Sequence, residues 1–359
     1  MNHVIILILL CVSYVSYPRI ALAGQDNGGM NISAAADLIG GFNLKKSELH
    51  NEADDSFQPR AIDINIYGAI DPYFDGVISV SAHKEEEETI FTIHEAYISS
   101  SRLLPRSQFR LGKFFLDIGR LNNFHQHEWP FITAPLVHKE FFGSEGVIDS
   151  GLEYSYLAPL PFYLDIRLGI SNGYTFGHSH GEGEKPKEPN QYMHVLSFLS
   201  LGQFDLQPGF SLLRRRDHDN RKEQYTGVEL TAKKKTGRIL TILSQTEAWH
   251  RVLKPQDGQE ETTLGAYSYF QYGFENGIEL GLRLDYLTVD SLKDALGNKA
   301  ANWKTSISPS IGIKPSEFSR LRLAYNHYEN KDPSLGLTKS SAFFIQTTFT
   351  LGAHPAHAF

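Results

Sequence analysis

Short runs of alternating apolar and polar residues recur along almost the whole chain, and this period of two constrains the fold more than any other feature. It is clearest in residues 162–170, which read FYLDIRLGI, and in residues 278–286, which read IELGLRLDY. Successive side chains of a strand point to opposite faces, so each run carries one apolar and one polar face. A soluble sandwich would turn the apolar face to a core, whereas a membrane barrel turns it to lipid and lines its lumen with the polar face.

The connectors between these runs favour the barrel. We count about sixteen candidate strands between residues 33 and 351, with fourteen or eighteen as the alternatives. Seven connectors are short and carry turn residues, namely 71–73, 101–106, 158–161, 202–203, 235–237, 275–276 and 315–318. They alternate with connectors that are mostly longer and polar. The pattern predicts an all-β fold, a transmembrane antiparallel β-barrel with short periplasmic turns and long extracellular loops.

The first 23 residues have the composition of a secretory signal peptide. An apolar stretch runs from Val4 to Val12, and Ala21-Leu22-Ala23 forms a small-residue cleavage site. The alternative is a membrane anchor, but the apolar stretch is shorter than the roughly 20 residues that a spanning helix needs. We therefore expect residues 1–23 to be a cleaved leader, residues 24–359 to form a single barrel domain, and the protein to lie in a bacterial outer membrane.

Composition excludes several classes of protein. Hydrophobic residues make up 41% of the chain, and the net charge is −7, so a generally basic nucleic-acid binder is excluded. The 17 tyrosines and 23 phenylalanines suffice for aromatic girdles at the two membrane interfaces. We find no nucleophile-elbow, zinc-protease or phosphate-loop motif. The sequence therefore predicts neither an enzyme nor a required cofactor, and an outer-membrane lipid hydrolase remains the enzymatic alternative.

The longest connector, residues 116–145, is far more apolar than a solvated loop, so we expect it to fold into the lumen and narrow it. It also carries His125, His127 and Glu128, with His138 further along. Imidazole and carboxylate groups suit zinc and related ions. The sequence therefore predicts zinc binding by these four residues. The alternative is that they only anchor the loop to the barrel wall by hydrogen bonds.

Histidines also cluster in two other segments. His178 and His180 lie in a glycine- and glutamate-rich connector, and His354 and His357 lie in the C-terminal tail. Histidine-rich tracts often bind metal. Zinc could therefore bind at either segment, although a solvated loop and a tail that carries only an assembly signal explain them equally well.

The polar faces of the strands predict a lumen of mixed charge. Its expected acidic and basic members are Asp63, Asp165, Asp285, Arg110, Arg167, Arg283, Arg320 and Arg322, together with Glu153, Glu229 and Glu279. Rows of opposite charge create a transverse field that orients polar solutes in a pore. The alternative is that these groups pair with each other and hold the wall together.

Residues 95–159 contain the segments EAY at 95–97, LGKFF at 111–115, GRLN at 119–122, HQH at 125–127, WPF at 129–131, PLV at 135–137, FGSEG at 142–146 and DSG at 149–151. This stretch resembles a family of porin-like bacterial outer-membrane proteins often labelled zinc-regulated outer-membrane receptors. The loop with His178 and His180 and the His-Pro-x-His ending resemble the same family, so the likeness spans most of the mature chain. It implies zinc acquisition through a porin-like channel, because 359 residues leave no room for a plug domain and a roughly 22-stranded barrel. The first half is also remotely similar to phosphate-selective porins, which keeps a general anion porin as an alternative.

The barrel interpretation also predicts the partners. The terminal Phe359 is expected to address the chain to the barrel-assembly machinery, and the strands to contact outer-membrane lipid. The basic run Arg214–Arg216 is a candidate contact for lipopolysaccharide phosphates. Small solutes or metal ions are the expected cargo, and a homotrimer is one expected assembly.

Overall fold

The computed structural model describes nine segments of the chain. They are residues 29–46, 53–85, 88–173, 188–217, 219–237, 239–255, 260–289, 302–334 and 336–352. The predicted leader and the candidate ligands His178, His180, His354 and His357 lie outside these segments, as does Phe359.

Sixteen antiparallel strands form one closed barrel, which confirms the predicted fold class and strand number. The strands are β1 (Asn31–Lys45), β2 (Ser56–Ala69), β3 (Asp75–Glu85), β4 (Glu88–Ser100), β5 (Ser107–Phe115), β6 (Ile148–Leu157), β7 (Tyr163–Ser171), β8 (Asn190–Leu201), β9 (Phe204–Arg216), β10 (Lys222–Thr236), β11 (Ile239–Lys254), β12 (Glu261–Gly273), β13 (Ile278–Val289), β14 (Trp303–Ser316), β15 (Ser319–Asp332) and β16 (Gly336–Gly352). Each strand pairs with its neighbours in sequence, and β1 pairs with β16 from Ser33 opposite Gly352 to Lys45 opposite Ser341. Closure leaves no free edge, as a barrel in lipid requires.

The period of two separates the two faces of the wall, and β13 shows this most clearly. Leu282 and Leu284 are 40% and 49% exposed on the outer face, whereas Arg283 and Asp285 are buried in the lumen. A soluble sandwich would bury the leucines and expose the charges, so this distribution is that of a membrane barrel. No helix in the described segments has both the length and the apolar character needed to cross a bilayer.

The connectors differ in length between the two ends, although less uniformly than predicted. All seven predicted short turns lie at one end of the barrel. At the other end β3 and β4 are separated by two residues and β15 and β16 by three, because these strands extend further than the alternation predicted. Backbone pairing continues to Glu85 and Glu88 in β3 and β4 and to Asp332 and Gly336 in β15 and β16. These two hairpins therefore lengthen the wall at the long-loop end.

The long connector folds into the lumen, as the sequence predicted. This lumen loop, residues 116–147, contains two short 3₁₀ turns and one helix, α1 (Leu136–Phe142), which contacts β11 to β14. Trp129 and Phe142 are almost completely buried against wall residues such as Trp249. Burial of an aromatic or aliphatic side chain contributes about 1.5–3 kcal/mol, so the loop is held in place by an apolar core inside the barrel.

Most of the predicted lumen charges are paired. Arg110 contacts Glu153 at 2.9 Å, Arg283 contacts Asp285 at 2.8 Å, and Arg320 approaches Glu279 at 3.7 Å. Arg167 contacts Asp165 at 2.9 Å and also contacts Asp117 of the lumen loop. The structure therefore favours wall charges that pair with each other over two open rows of opposite sign.

Candidate metal centre in the barrel lumen

The lumen loop is anchored to the wall by arginines that donate to its backbone. Arg60 on β2 donates to the carbonyl of Ile132 at 2.6 Å, and Arg322 on β15 donates to the carbonyl of Trp129 at 2.7 Å. Arg283 on β13 donates to the Thr133 carbonyl. Hydrogen bonds from charged donors are about twice as strong as neutral ones. The segment from Trp129 to Thr133 is therefore fixed to the part of the wall that runs from β13 through β16 to β2.

Further anchors lie on either side of residues 129–133. The backbone N–H of Leu121 donates to Glu247 on β11 at 2.9 Å, and that of Leu136 donates to Asp285 on β13 at 3.1 Å. The loop therefore crosses the lumen from the β5–β6 side to β15. At the height of the lumen loop, the barrel therefore has no open pore of its full diameter.

Four imidazoles form a continuous row between the lumen loop and the wall. The ring centroids of His83 and His94 lie 6.0 Å apart, those of His94 and His125 lie 6.0 Å apart and nearly parallel, and those of His125 and His127 lie 5.5 Å apart. His83 belongs to β3 and His94 to β4, while the other two belong to the loop. All four are less than 9% exposed.

Three carboxylates accompany the row. Asp63 Oδ2 lies 3.0 Å from His127 Nδ1, Glu95 Oε2 lies 3.4 Å from His125 Nε2, and Glu145 Oε2 lies 3.6 Å from His94 Nε2. We call the seven side chains together the histidine cluster. Imidazole and carboxylate are the ligands that zinc and neighbouring divalent metals accept.

A β-bulge in β4 brings two neighbouring residues of the cluster to the same face. Ser79 of β3 is opposite Glu95, whereas Val80 is opposite Ile93, so His94 is the extra residue. An extra residue in one strand interrupts the alternation of side chains. His94 and Glu95 consequently both lie on the lumen face, although they are adjacent in sequence.

Three members of the cluster could ligate one ion. One donor atom from each of Asp63, His94 and His125 lies within 4.8 Å of the other two. His127 contacts Asp63 from the side and does not belong to this trio. The structure thus retains His125 from the sequence-based ligand set and adds Asp63, which was expected only to line the lumen, and His94.

Two other residues of the sequence-based set have different roles. Glu128 accepts a hydrogen bond from the backbone of His125 at 3.0 Å, which caps the 3₁₀ turn Gln126–Glu128. His138 lies on α1 among aromatic rings, 5.3 Å from Trp129 and 5.5 Å from Phe142 between centroids. Neither residue belongs to the trio, because α1 turns its histidine towards the apolar core.

The surroundings of His125 and His138 shift their protonation in opposite directions. Burial alone disfavours charge on His125, but the hydrogen bond with Glu95 and the negative charges of Asp63 and Glu128 outweigh it and raise its pKa to about 9. Burial lowers the pKa of His138 to about 4. At neutral pH the metal-free cluster therefore holds a proton on His125, whereas His138 is neutral.

A cavity of about 790 Å³ opens at the long-loop end and reaches the cluster. His83 and Glu145 belong to both, and the opposite side of the cavity is lined by Lys304 and Tyr328. Solutes that enter from this end therefore meet His83 and Glu145 of the cluster together with Thr133 of the anchored part of the loop and its anchors Arg60 and Arg283.

Sequence reasoning missed His83, His94 and Glu95 as members of the site. A signal was present for the last two, because the apolar positions of β4 change phase from Phe91 and Ile93 to Ala96 and Ile98. Such a change of phase is typical of a bulge.

Comparison with known proteins identifies the fold. No protein-family model matches the chain. An uncharacterized protein of Aquifex aeolicus is 27% identical over 372 residues, which cover 94% of this chain and 72% of that protein.

Three solved structures show the same architecture. The outer membrane channel DcaP of Acinetobacter baumannii has a TM-score of 0.65 at 11% identity, covering 91% of this chain and 99% of that one. The anion-selective porin from Comamonas acidovorans has a TM-score of 0.62 at 10% identity, covering 90% and 99%. OmpF of Salmonella typhi, in complex with daunomycin, has a TM-score of 0.60 at 10% identity, covering 91% and 99%. The chain therefore has the fold of outer-membrane porins.

Proposed function

We propose that the protein is a porin-like outer-membrane channel for small solutes, and that its cargo is a divalent transition-metal cation, zinc above all. The observation that carries the proposal is the histidine cluster at the end of the long-loop cavity, where four imidazoles and three carboxylates lie together. The porin fold and the outward-facing leucines of β13 support a location in the outer membrane.

The proposed channel is selective rather than wide. The lumen loop buries aromatic residues against the β8 to β13 side, and its backbone is fixed by Arg60, Arg283 and Arg322. The cavity lies on the other side of the loop, between the histidine cluster and the strands that carry Lys304 and Tyr328. We therefore expect a low conductance for bulk salt.

An anion-selective porin is supported less well. Such a pore needs cationic side chains that are available to the passing anion. Four of the five predicted lumen arginines, Arg110, Arg167, Arg283 and Arg320, contact carboxylates instead. The cavity lining is mixed in sign, but three of its cationic side chains, Arg60, Arg283 and Lys304, also contact carboxylates. His83 and Glu145 of the histidine cluster line the same cavity and favour a cation.

We also propose a homotrimeric assembly. A trimer form is recorded for OmpT, an outer membrane protein of Vibrio cholerae, with a TM-score of 0.60 and 10% identity to this chain. Cross-linking of the protein in detergent, followed by denaturing electrophoresis without heating, tests this assembly.

Zinc uptake into proteoliposomes tests the function. Mature protein is reconstituted into vesicles that contain a zinc-sensitive dye, and external zinc is added. Zinc should enter faster than in protein-free vesicles, and inorganic phosphate should not. Phosphate entry at a rate equal to that of zinc would support the anion porin instead, and release of fatty acid from the vesicle lipid would support a hydrolase.

A further inference from the structure

We infer that Asp63, His94 and His125 form one three-ligand metal site, and that an ion bound there fastens the lumen loop to the barrel wall. The inference rests on the proposed function only for the nature of the cargo. Its structural basis is that two ligands belong to wall strands, β2 and β4, while the third belongs to the loop.

The spacing of the three donors fits an ion after a small contraction. They lie within 4.8 Å of one another. Zinc bonds of about 2.0–2.2 Å in a tetrahedron place ligand atoms roughly 3.3 Å apart. The contraction of about 1.5 Å is of the size that rotation of the His94 and His125 side chains can produce, and His125 lies on the loop and not on a wall strand.

Asp63 offers an oxygen for the ion. Its Oδ2 lies 3.0 Å from His127, and the Ser81 hydroxyl interacts with the same carboxylate. Its Oδ1 is buried and forms no hydrogen bond of ordinary geometry within the described part of the chain. A buried carboxylate oxygen without such a bond is costly. A cation beside Oδ1 removes that cost.

A further layer of groups supports the ligands. His127 holds the carboxylate of Asp63, Glu95 lies next to His125, and Glu145 lies next to His94. Metal-binding histidines and carboxylates are usually held in this way by outer partners, which fix their orientation. The cluster therefore contains both ligands and their supports.

The ligand types define the class of ion. Two imidazoles with one carboxylate bind first-row divalent metals such as Zn²⁺ and Co²⁺. Mg²⁺ and Ca²⁺ prefer shells of oxygen ligands and are selected against. Three protein ligands leave a position open, so the ion can exchange with water or with a further ligand.

The position of the site gives it a mechanical consequence. The arginine anchors hold residues 129–133, while His125 lies outside this anchored segment and next to Gln126, which lines the cavity. An ion that joins His125 to Asp63 and His94 ties this part of the loop to β2 and β4. Occupancy therefore narrows the remaining passage beside the loop.

Cobalt spectroscopy tests the ligand set. Mature full-length protein in detergent is titrated with Co²⁺, and the visible absorption is compared with that of the variants D63N, H94Q and H125Q. Wild type should bind one ion per chain with the intense bands of low coordination, and each variant should bind at least about tenfold more weakly. His327→Gln, which removes a histidine on the outer face of β15 and outside the cluster, should bind as wild type does. Equal binding in all four variants would overturn the inference.

Folding is controlled in two ways. Heat-modifiable mobility and the β-rich circular dichroism spectrum should be unchanged in every variant. H94Q changes a residue of the wall, whereas H125Q changes a residue of the loop. A displaced loop could explain weaker binding in H125Q, but it would not explain weaker binding in H94Q. Loss of binding in H125Q alone would contradict the three-ligand site.

Bilayer recordings test the fastening. Zinc should lower the single-channel current of potassium chloride through wild type, a chelator should restore it, and H94Q should not respond. A single-channel current that does not change when zinc is added would overturn the inference that a bound ion fastens the loop to the wall. Zinc binding without zinc uptake into vesicles would refute the proposed function alone, and unchanged zinc uptake by H94Q would refute the inference alone.

Discussion

His127 Nδ1 lies 3.0 Å from Asp63 Oδ2, and this contact joins the lumen loop to β2 through two buried side chains. One oxygen of the same carboxylate lies within 4.8 Å of donor atoms of both His94 and His125. His127, which the sequence predicted as a metal ligand, thus contacts a carboxylate that the sequence placed only in the lumen wall.

Replacement of His127 by alanine should weaken zinc binding without abolishing it. Loss of a supporting partner of a metal ligand typically costs 10–100-fold in affinity. Isothermal titration of wild type, H127A and H94Q with zinc should rank H127A between the other two. An affinity of H127A equal to that of wild type would show that His127 only positions the loop.

Replacement of Arg283 by methionine should loosen the lumen loop. Arg283 pairs with Asp285 and donates to the Thr133 carbonyl, and both side chains of the pair are almost completely buried. Removal of one partner of a buried pair costs about 3–5 kcal/mol. R283M should therefore show a lower free energy of unfolding in urea and a larger single-channel conductance.

Arg102→Met is the matched control. Arg102 contacts Asp75 at 3.1 Å near a short turn, where its side chain is 44% exposed. Exposed pairs contribute about 0–1 kcal/mol, so this variant should conduct and unfold as wild type does. If the two variants behave alike, the anchoring role of Arg283 is wrong.

Acidification should weaken the packing of α1 through His138. Its pKa is about 4 in the folded protein and about 6.5 in the unfolded chain, because burial disfavours the charged ring. The unfolded chain therefore binds the extra proton first. Stability is unaffected by this group above pH 6.5 and falls by about 3 kcal/mol between pH 6.5 and pH 4.

His138→Phe should remove this part of the pH dependence, since phenylalanine fits among Trp129 and Phe142 and does not titrate. The measurement is urea unfolding of both proteins at pH 7.5 and pH 4, followed by tryptophan fluorescence. The difference in stability between the two pH values should be smaller in the variant by about 3 kcal/mol. Identical pH dependence would exclude a buried neutral histidine at this position.

Gly265 on β12 leaves space for the loop helix. A Cβ atom added there would lie 2.5 Å from Val137 Cγ2 on α1. Gly265→Ala should therefore displace α1 and cost about 1–3 kcal/mol, as overpacked cores do. The double variant G265A/V137A should recover much of that loss in urea unfolding. No coupling between the two substitutions would mean that α1 does not rest on β12.

The sequence predicted the barrel and the lumen loop correctly because both depend on local pattern. Alternation identifies a strand without knowledge of its neighbours, and the apolar character of residues 116–145 is itself a local property. The histidine cluster is not local. Asp63, His83 and His94 come together through the pairing register of β2, β3 and β4, and His125 and His127 join them only through the fold of the lumen loop. The bulge at His94 also changes which residues face the lumen, and strict alternation cannot anticipate it.

The arginine anchors of the lumen loop donate to backbone carbonyls at Trp129, Ile132 and Thr133, and only at Thr133 does a side-chain oxygen of the loop also accept from its arginine anchor. Every amino acid supplies a backbone carbonyl. A substitution at Trp129 or Ile132 therefore keeps the acceptor in place, so the path of the loop can be conserved while its side chains change. The narrowing of the lumen and the choice of solute therefore depend on different atoms. Side chains that line the passage can be substituted, in evolution or by design, while the backbone contacts that position the loop are kept.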